Sequence, residues 1–198
     1  MFITFEGIEG SGKTTQMRHV AERMPDALVT KEPGGSAVGD RVRAILLDSQ
    51  STIEPIAEVF LFAASRRQLV TEVIRPALRS GRTVLCDRYA DSTLAYQGYG
   101  RGLRLGDLEQ LNRFATDGMQ PDLIVLLDLP VAVGLARKPG ARDRFEVEGE
   151  LFHARVRDGY YALAKNGGER WLLLDAHRPV QELADLIWER VDEGMSRS

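Results

Sequence analysis

The chain has 198 residues, of which 43% are hydrophobic, and 26 basic against 29 acidic side chains leave a net charge of −3. This length predicts a single domain over 1–198, and the balanced charge argues against a protein that coats nucleic acid. No apolar run approaches the ~20 residues that cross a bilayer, so we expect no membrane partner. The first residues enter a strand directly, so we expect no secretory signal. Cys86, the only cysteine, excludes an internal disulfide and is compatible with the reducing, cytoplasmic location that we expect.

Short apolar runs alternate with helical stretches along the whole chain. Strands are predicted at 2–6, 27–30, 83–87, 122–128 and 170–174, and helices near 13–24, 37–47, 54–79, 107–117, 146–165 and 179–193. Strands separated by helices of this length pair in parallel through right-handed crossovers. We therefore expect an α/β fold of three layers, with a five-stranded parallel sheet flanked by helices and ligands at the carboxyl edge of the sheet.

The connection between the first strand and the first helix reads Gly-Ile-Glu-Gly-Ser-Gly-Lys-Thr, a full match to the phosphate-binding pattern G-x-x-x-x-G-K-[ST]. Glycines let the backbone turn its N–H groups inward, and the helix N-terminus adds partial positive charge. Lys13 is expected to reach the β- and γ-phosphates of ATP, and the Thr14 hydroxyl to ligate Mg²⁺. The residues predicted to bind ATP in this loop are Gly7, Ile8, Glu9, Gly10, Ser11, Gly12, Lys13 and Thr14. The alternative is a glycine turn that matches the pattern by chance.

A basic segment, RKPGARDR at 137–144, interrupts the regular pattern. Its proline, glycine and four basic residues are not expected to pack into a core, and loops of this kind often form mobile lids. The variable positions of the phosphate loop carry no positive charge, whereas phosphoryl transfer needs cations beyond Lys13 and Mg²⁺. We therefore expect a short Arg-rich lid at about 137–145, in which Arg137 binds ATP and Arg142 and Arg144 act in catalysis. Which of the three contacts ATP stays open, and a solvated connector is the alternative.

Four further segments narrow the class of phosphate-loop protein. The guanine-reading tetrapeptide Asn-Lys-x-Asp and the transporter signature Leu-Ser-Gly-Gly-Gln are both missing, whereas KEPGG at 31–35, FAASR at 62–66, DRY at 87–89 and STLAYQG at 92–98 are present. In this order and at these spacings they closely resemble bacterial thymidylate kinases, from Met1 into the C-terminal helix. The resemblance implies a P-loop kinase fold and transfer of the γ-phosphoryl group of Mg·ATP to dTMP, which gives dTDP. It also implies a homodimer.

The resemblance assigns the acceptor phosphate and the metal to the end of the third predicted strand. Arg88 is implied to grip the acceptor phosphate, for which a guanidinium fork is suited, and Asp87 to act near Mg²⁺ or its waters. Glu9 is implied to lie near the 3′-hydroxyl of the acceptor. The residues alone leave open a local ion pair of Asp87 with Arg88 and a solvent-facing Glu9.

The resemblance also implies a thymine pocket. Phe62 would stack on the base, and Arg66, on the same helical face, would donate a hydrogen bond to its O4 carbonyl. Thr93 and Gln97 would contact the thymine edge, and Tyr96 would crowd C2′ and favour deoxyribose. From the residues alone, an isolated phenylalanine on a helix such as Phe62 is usually a core residue, and 92–98 is simply a helix with a few polar side chains.

The reaction itself needs no general base, because a phosphate acceptor with a second pKa of about 6 is largely a dianion at neutral pH. The three histidines, His19, His153 and His177, show no metal or catalytic spacing and are expected on helix surfaces or in loops. Two alternatives remain. One is a kinase for another small acceptor, such as a different nucleoside monophosphate or shikimate. The other is a nucleotide-binding protein that keeps the fold without catalysis.

Overall fold

The five predicted strands form one parallel sheet in the computed structural model, which describes residues 1–137 and 143–196. The strands are β1 (Phe2–Glu6), β2 (Leu28–Lys31), β3 (Val84–Asp87), β4 (Leu123–Asp128) and β5 (Trp171–Asp175), in the order β2-β3-β1-β4-β5. Each strand lies within one residue of its predicted position. The predicted α/β fold is therefore confirmed.

Helices cover both faces of this sheet because alternate side chains of a strand point to opposite faces. Ile3 and Phe5 belong to one buried cluster, to which α1, α8 and α9 contribute. Phe2, Val84 and Cys86 belong to a second cluster, formed with the end of α3 and the segment that follows it. The helices are α1 (Lys13–Arg23), α2 (Ala37–Leu47), α3 (Pro55–Leu69), α4 (Arg75–Arg79), α5 (Ala90–Thr93), α6 (Leu105–Thr116), α7 (Val131–Ala136), α8 (Glu150–Asn166) and α9 (Val180–Ser196).

The helices depart from their prediction in four places. The single helix predicted at 54–79 is divided by a π-helical stretch, Val70–Ile74. A second π-helical stretch, Leu94–Gly100, continues α5, and such stretches widen a helix and often occur at functional sites. The short helix α7 was not predicted, and α8 begins at Glu150 rather than near 146.

The central strand brings the ends of three strands together. Phe5 pairs with Asp87 of β3, and Glu6 pairs with Leu126 of β4. The chain leaves β1 for β2 on one side of the sheet and later enters β4 on the other side. The carboxyl end of β1 is thus a topological switch point, where open parallel sheets bind ligands.

Cys86 is fully buried near the end of β3. Within residues 1–137 and 143–196, every helix is too short or too polar to cross a bilayer.

Candidate active site

A cleft of about 920 Å³ opens at the carboxyl edge of the sheet. It lies where the phosphate loop faces α3, α5 and the π-helical stretch after α5. Its lining includes Glu9, Gly10, Gly12, Lys13, Thr14, Phe62, Arg66, Asp87, Arg88, Thr93, Tyr96, Gln97 and Arg137. The fold therefore gathers most of the predicted site residues into one space.

The phosphate loop depends on glycine, as Gly10 and Gly12 show. Gly10 has a φ of 72° and Gly12 a φ of 95°, a region that side chains rarely adopt. A Cβ on Gly10 would collide with the Gly134 carbonyl oxygen of α7. Gly12 is the N-cap of α1, and the first turn of this helix has no side-chain cap among the described residues. The first N–H groups of α1 are therefore available to an anion.

Lys13 is buried at the floor of this loop and is folded back onto it. Its Nζ donates to the carbonyl oxygens of Gly7 at 3.1 Å and Ile8 at 2.8 Å, and lies 3.4 Å from Ser11 Oγ. Burial, together with the positive charge of Arg88, lowers the pKa of Lys13 to about 8. The ammonium group is still mostly protonated at neutral pH, and a bound polyphosphate would raise this pKa further.

Thr14 and Asp87, the two predicted metal ligands, are adjacent. Thr14 Oγ1 donates to Asp87 Oδ2 at 3.1 Å. A hydroxyl and a carboxylate are the hard oxygen donors that Mg²⁺ prefers, and Mg²⁺ usually keeps water and phosphate oxygens as its other ligands. Within the described residues there is no group of three or more Asp, Glu, His or Cys side chains that could hold a metal alone. The pair therefore fits an ion that arrives with a nucleotide.

Arg88 is held in an uncommon backbone conformation, with a φ of 69°. Its backbone N–H donates to the Phe5 carbonyl at 3.0 Å. Its guanidinium donates to Glu9 at 2.8 Å, Tyr96 Oη at 3.0 Å and Tyr160 Oη at 3.1 Å. Burial lowers the pKa of Arg88, but these neighbours raise it by more, so the pKa lies above its ordinary value. The result is a fixed cation in the cleft.

Glu6 was not predicted as a site residue, but it holds Tyr160, one of the hydrogen-bond partners of Arg88. Its carboxylate accepts from the Tyr89 N–H at 2.8 Å, Ser92 Oγ at 2.6 Å and Tyr160 Oη at 2.9 Å. Burial, with a smaller effect of Asp91, raises the pKa of Glu6 to about 7. A charged residue that ends an apolar strand directly before a glycine loop is the sequence signal that could have identified it.

Arg66 is almost completely buried and nearly saturated with hydrogen bonds. It donates to Glu32 Oε2 at 2.7 Å, Thr93 Oγ1 at 3.0 Å, Asn112 Oδ1 at 2.6 Å and the Tyr89 carbonyl at 3.1 Å. A guanidinium group has five N–H donors, so a single N–H on Nη2 is left without a partner in the described structure. Arg66 is among the residues that line the cleft.

Glu32 is the counter-ion of Arg66. It belongs to the KEPGG segment at 31–35, and no role of its own was predicted for it. It is buried, and its Oε1 has no hydrogen-bond partner in the described residues. Burial raises the pKa of Glu32 to about 7, although the Arg66 charge acts in the opposite direction. Sequence inspection could not find this pairing, because it joins two segments 34 positions apart.

Glu9 and Tyr96 close the cleft beside Arg88. Tyr96 Oη lies 2.8 Å from each carboxylate oxygen of Glu9. Burial raises the pKa of Glu9, but the charges of Arg88 and Lys13 outweigh it and hold the pKa below 4.5. Glu9 is therefore an ionised acceptor, already occupied by Arg88 and Tyr96.

Comparison with known proteins agrees with this geometry. The family model described as thymidylate kinase matches residues 5–187. The chain belongs to the thymidylate kinase family. It is 52% identical to the thymidylate kinase of Geobacter sp. (strain M21), over 98% of this chain and 92% of that protein. It is also 52% identical to the thymidylate kinase of Deinococcus radiodurans, over 98% of this chain and 97% of that protein.

The fold agrees as well. The crystal structure of thymidylate kinase from Ehrlichia chaffeensis superposes with a TM-score of 0.81 at 32% sequence identity, over 97% of this chain and 98% of that chain. The resemblance inferred from the five sequence motifs is thus confirmed.

The basic segment after α7 differs from its prediction. Arg144 is buried, with Nη1 2.5 Å from Glu58 Oε2 and Nε 2.9 Å from the Leu46 carbonyl. The expectation that this segment cannot pack into the protein is therefore wrong at Arg144 and at the buried Phe145. The reason is the buried carboxylate of Glu58, which compensates the charge. Arg142 lies outside the described residues.

Arg137 lies at the other end of that segment and remains at the mouth of the cleft. Its exposed guanidinium donates to the Gly10 carbonyl at 3.3 Å. Of the three predicted lid arginines, Arg137 is thus near the phosphate loop, whereas Arg144 points toward α3.

The structure also contradicts the sequence interpretation at His153. It is 1% exposed rather than on a helix surface, and its Nδ1 lies 3.6 Å from Glu9 Oε2. Its neighbours on the buried face of α8 are Phe152, Val156 and Tyr160. Their spacing of four residues is typical of a buried helix face, and this signal could have predicted the burial.

Proposed function

We propose that the chain transfers the γ-phosphoryl group of Mg·ATP to the 5′-phosphate of dTMP and so produces dTDP for dTTP synthesis. This is the reaction of the family to which it belongs. The observation that carries the proposal is the single cleft bordered by Lys13 and the N-terminus of α1 on one side and by Arg88 and Arg66 on the other. One cleft can therefore accommodate a phosphate donor and a phosphorylated acceptor together.

Charge neutralisation is the main chemical task of this site, because both reactants are polyanions that repel each other. Lys13 would contact the donor phosphates, and Arg88 would hold the acceptor phosphate in line with them. Glu9 is engaged by Arg88 and Tyr96, so it is poorly suited to act as a base, and a dianionic acceptor does not need one. Thr14 and Asp87 would hold Mg²⁺, which supplies further positive charge to the phosphates when bound.

The acceptor base is assigned to the pocket on α3 and α5. Phe62, half-buried with its ring centroid 5.9 Å from that of Phe145, offers a face for stacking. The remaining N–H of Arg66 is suited to the O4 carbonyl of thymine. Thr93 and Gln97 line the same wall and would contact the base edge, while Tyr96 would exclude a 2′-hydroxyl.

The arginines of the basic segment have unequal support. The Arg137 contact with Gly10 supports a role in ATP binding. A catalytic role for Arg144 stays a prediction and would require this side chain to leave Glu58. Arg142 likewise stays a prediction.

We also propose a homodimer in the cytoplasm. Exposed apolar side chains on the adjoining helices α2, α3 and α6 support the dimer, namely Val38, Ile45, Ile56, Phe60 and Phe114. Phe114 is 82% exposed, and apolar surface of this kind is typical of a contact between subunits. Sedimentation of the wild-type chain and of the Phe114→Glu variant tests the dimer: we expect the wild type to be a dimer and the variant to be a monomer.

The proposed cytoplasmic location rests on the single unpaired cysteine, Cys86, which is compatible with a reducing compartment.

An ADP-release assay with Mg·ATP against dTMP, dUMP, UMP, dCMP, dGMP and shikimate tests the proposed reaction. We expect strong preference for dTMP, with slow ATP hydrolysis in an acceptor-free control. Preference for another acceptor would retain a kinase and overturn the assignment of the thymine pocket. Turnover with none of the six would favour a nucleotide-binding protein without catalysis.

A further inference from the structure

Glu58 is a fully buried carboxylate on α3, one helical turn before Phe62. It accepts hydrogen bonds from Arg144 Nη1 at 2.5 Å, from Arg101 Nε at 3.0 Å and Nη2 at 3.1 Å, and from Gln97 Nε2 at 2.7 Å. A buried charge is costly unless it is paired, and here two guanidinium groups supply the pairing. The fourth contact, with Gln97, connects this buried cluster to the cleft.

This contact determines which way the Gln97 carboxamide faces. The oxygen and nitrogen ends of a carboxamide are similar in size, and their orientation is decided by the hydrogen-bonding partners around them. A carboxylate between two guanidinium groups can accept hydrogen bonds but has none to donate. Gln97 must therefore direct its NH₂ group to Glu58 and its Oε1 away from it.

The free end of Gln97 is then a hydrogen-bond acceptor. Gln97 lines the cleft, and none of the described residues donates a hydrogen bond to its Oε1. The ring nitrogen N3 of thymine carries a hydrogen and is a donor, whereas N3 of cytosine is an acceptor. An outward Oε1 therefore matches thymine and opposes the lone pair of cytosine.

We propose that Glu58 is a positioning residue that sets the preference for thymine over cytosine by fixing the orientation of the Gln97 carboxamide. The inference rests on the proposed function, since it concerns the base of the acceptor. Arg66 discriminates at the neighbouring O4 position by a separate donor. Loss of Glu58 should therefore weaken the preference for thymine without inverting it.

The substitution Glu58→Gln tests this inference directly. A glutamine can present either end of its own amide, so Gln97 becomes free to turn. The ratio of kcat/KM for dTMP to kcat/KM for dCMP should fall about tenfold. The matched control is Glu148→Gln, which removes the other carboxylate of Arg101, 2.6 Å from its Nη1. This control should keep the wild-type ratio, because no contact joins Glu148 to Gln97 in the described structure.

A double-mutant cycle separates positioning from a general structural effect. Gln97→Ala should itself lower the dTMP to dCMP ratio. Adding Glu58→Gln to Gln97→Ala should not change the ratio further, because Glu58 acts through Gln97. A wild-type ratio in Glu58→Gln, or a further fall in the double variant, would overturn the inference.

NMR of the unmodified chain provides a test that does not depend on the folding of Glu58 variants. The side-chain ¹⁵N–H₂ signals of Gln97 can be assigned by their loss in Gln97→Ala. We expect slow hydrogen exchange of the N–H that donates to Glu58 without nucleotide, and no added protection of it on binding dTMP, since this hydrogen bond is already formed in the free protein. Fast exchange in the free protein, or protection that appears only with dTMP, would overturn the inference. Failure of the wild-type chain to phosphorylate dTMP would instead overturn the proposed function, while the exchange result would still report the orientation of Gln97.

Discussion

The two sides of the cleft are built in different ways. The donor side, which we propose binds ATP, is a run of consecutive residues, 7–14, whose conformation depends on glycine backbone angles and the start of α1. The acceptor side, which we propose binds dTMP, is assembled from side chains of β1, α3, β3, α5 and the segments after them. Here the arginines are held by carboxylates, as in the fully buried pair of Arg66 with Glu32 and the partly buried pair of Arg88 with Glu9 of the phosphate loop.

This difference has an energetic consequence. The donor loop is shaped by backbone, so removal of Lys13 should affect the reaction more than the fold. On the acceptor side, removal of an arginine leaves a buried carboxylate without its partner, which is strongly destabilising. Substitutions there should therefore affect both the reaction and the free energy of unfolding.

The largest expected effect on turnover comes from Lys13→Ala. The loss of a cation on the transferred phosphoryl group should lower kcat by a factor on the order of 10²–10⁴. The free energy of unfolding should change by no more than about 1 kcal/mol, because each of its hydrogen bonds contributes little. Steady-state kinetics and urea denaturation measure the two quantities, with the exposed Lys165→Ala as control. Near-normal turnover would contradict the assignment.

Arg88→Ala should lower turnover over a similar range, on the order of 10²–10⁴. Unlike Lys13→Ala, it should also reduce the free energy of unfolding by about 1–3 kcal/mol, because Glu9 loses a charged partner. The same two measurements apply, and exposed Arg79→Ala should match the wild type in both. An Arg88→Ala variant that is inactive but as stable as the wild type would show that an arginine on the acceptor side contributes no more to the free energy of unfolding than Lys13 does.

Arg66→Leu should have its main effect on stability. Glu32 would remain buried and unpaired, and the free energy of unfolding should fall by about 3–5 kcal/mol. The matched control is Arg178→Leu, which breaks the exposed 2.9 Å pair with Glu182 and should cost only about 0–1 kcal/mol. Equal midpoints for the two variants in urea would be the contrary result.

The pH dependence of stability tests Glu6. Burial raises the pKa of Glu6 from 4.5 to about 7, so the folded state retains a proton that the unfolded state releases between these values. The folded state then binds more protons, and its stability falls as the pH rises through this window. Between pH of about 5 and about 7, the wild type should lose about 1–3 kcal/mol more than Glu6→Gln. Parallel curves in urea denaturation would exclude this role.

The smallest effect is expected for Arg137→Ala. The side chain is exposed, and its contact with Gly10 is long, so the KM for ATP should rise by no more than about tenfold. The KM for dTMP should stay constant, because Arg137 lies on the donor side. Comparable changes in the KM for ATP and the KM for dTMP would indicate that Arg137 affects the binding of both substrates.

Prediction from sequence was most complete where structure is local. The strands were located to within one residue, since runs such as that of β4 are apolar and β-branched. The acceptor residues Phe62, Arg66, Thr93 and Gln97 were identified by resemblance, and the fold does bring them into one cleft. Their roles remain predictions. Neither periodicity nor resemblance indicated that the carboxylates of Glu32 and Glu58 bind arginines, or that Glu6 is buried next to Arg88's partner Tyr160.

The sequence by itself therefore determined the phosphate loop, because eight consecutive residues specify its backbone, and the α/β architecture, because apolar periodicity specifies which segments form strands and helices. Only the tertiary structure decided that Arg144 is buried on Glu58 and that His153 lies beside Glu9. These pairings join segments far apart in the chain. Whether a charge can be buried depends on the partner that folding brings to it, and that information is not contained in any local segment.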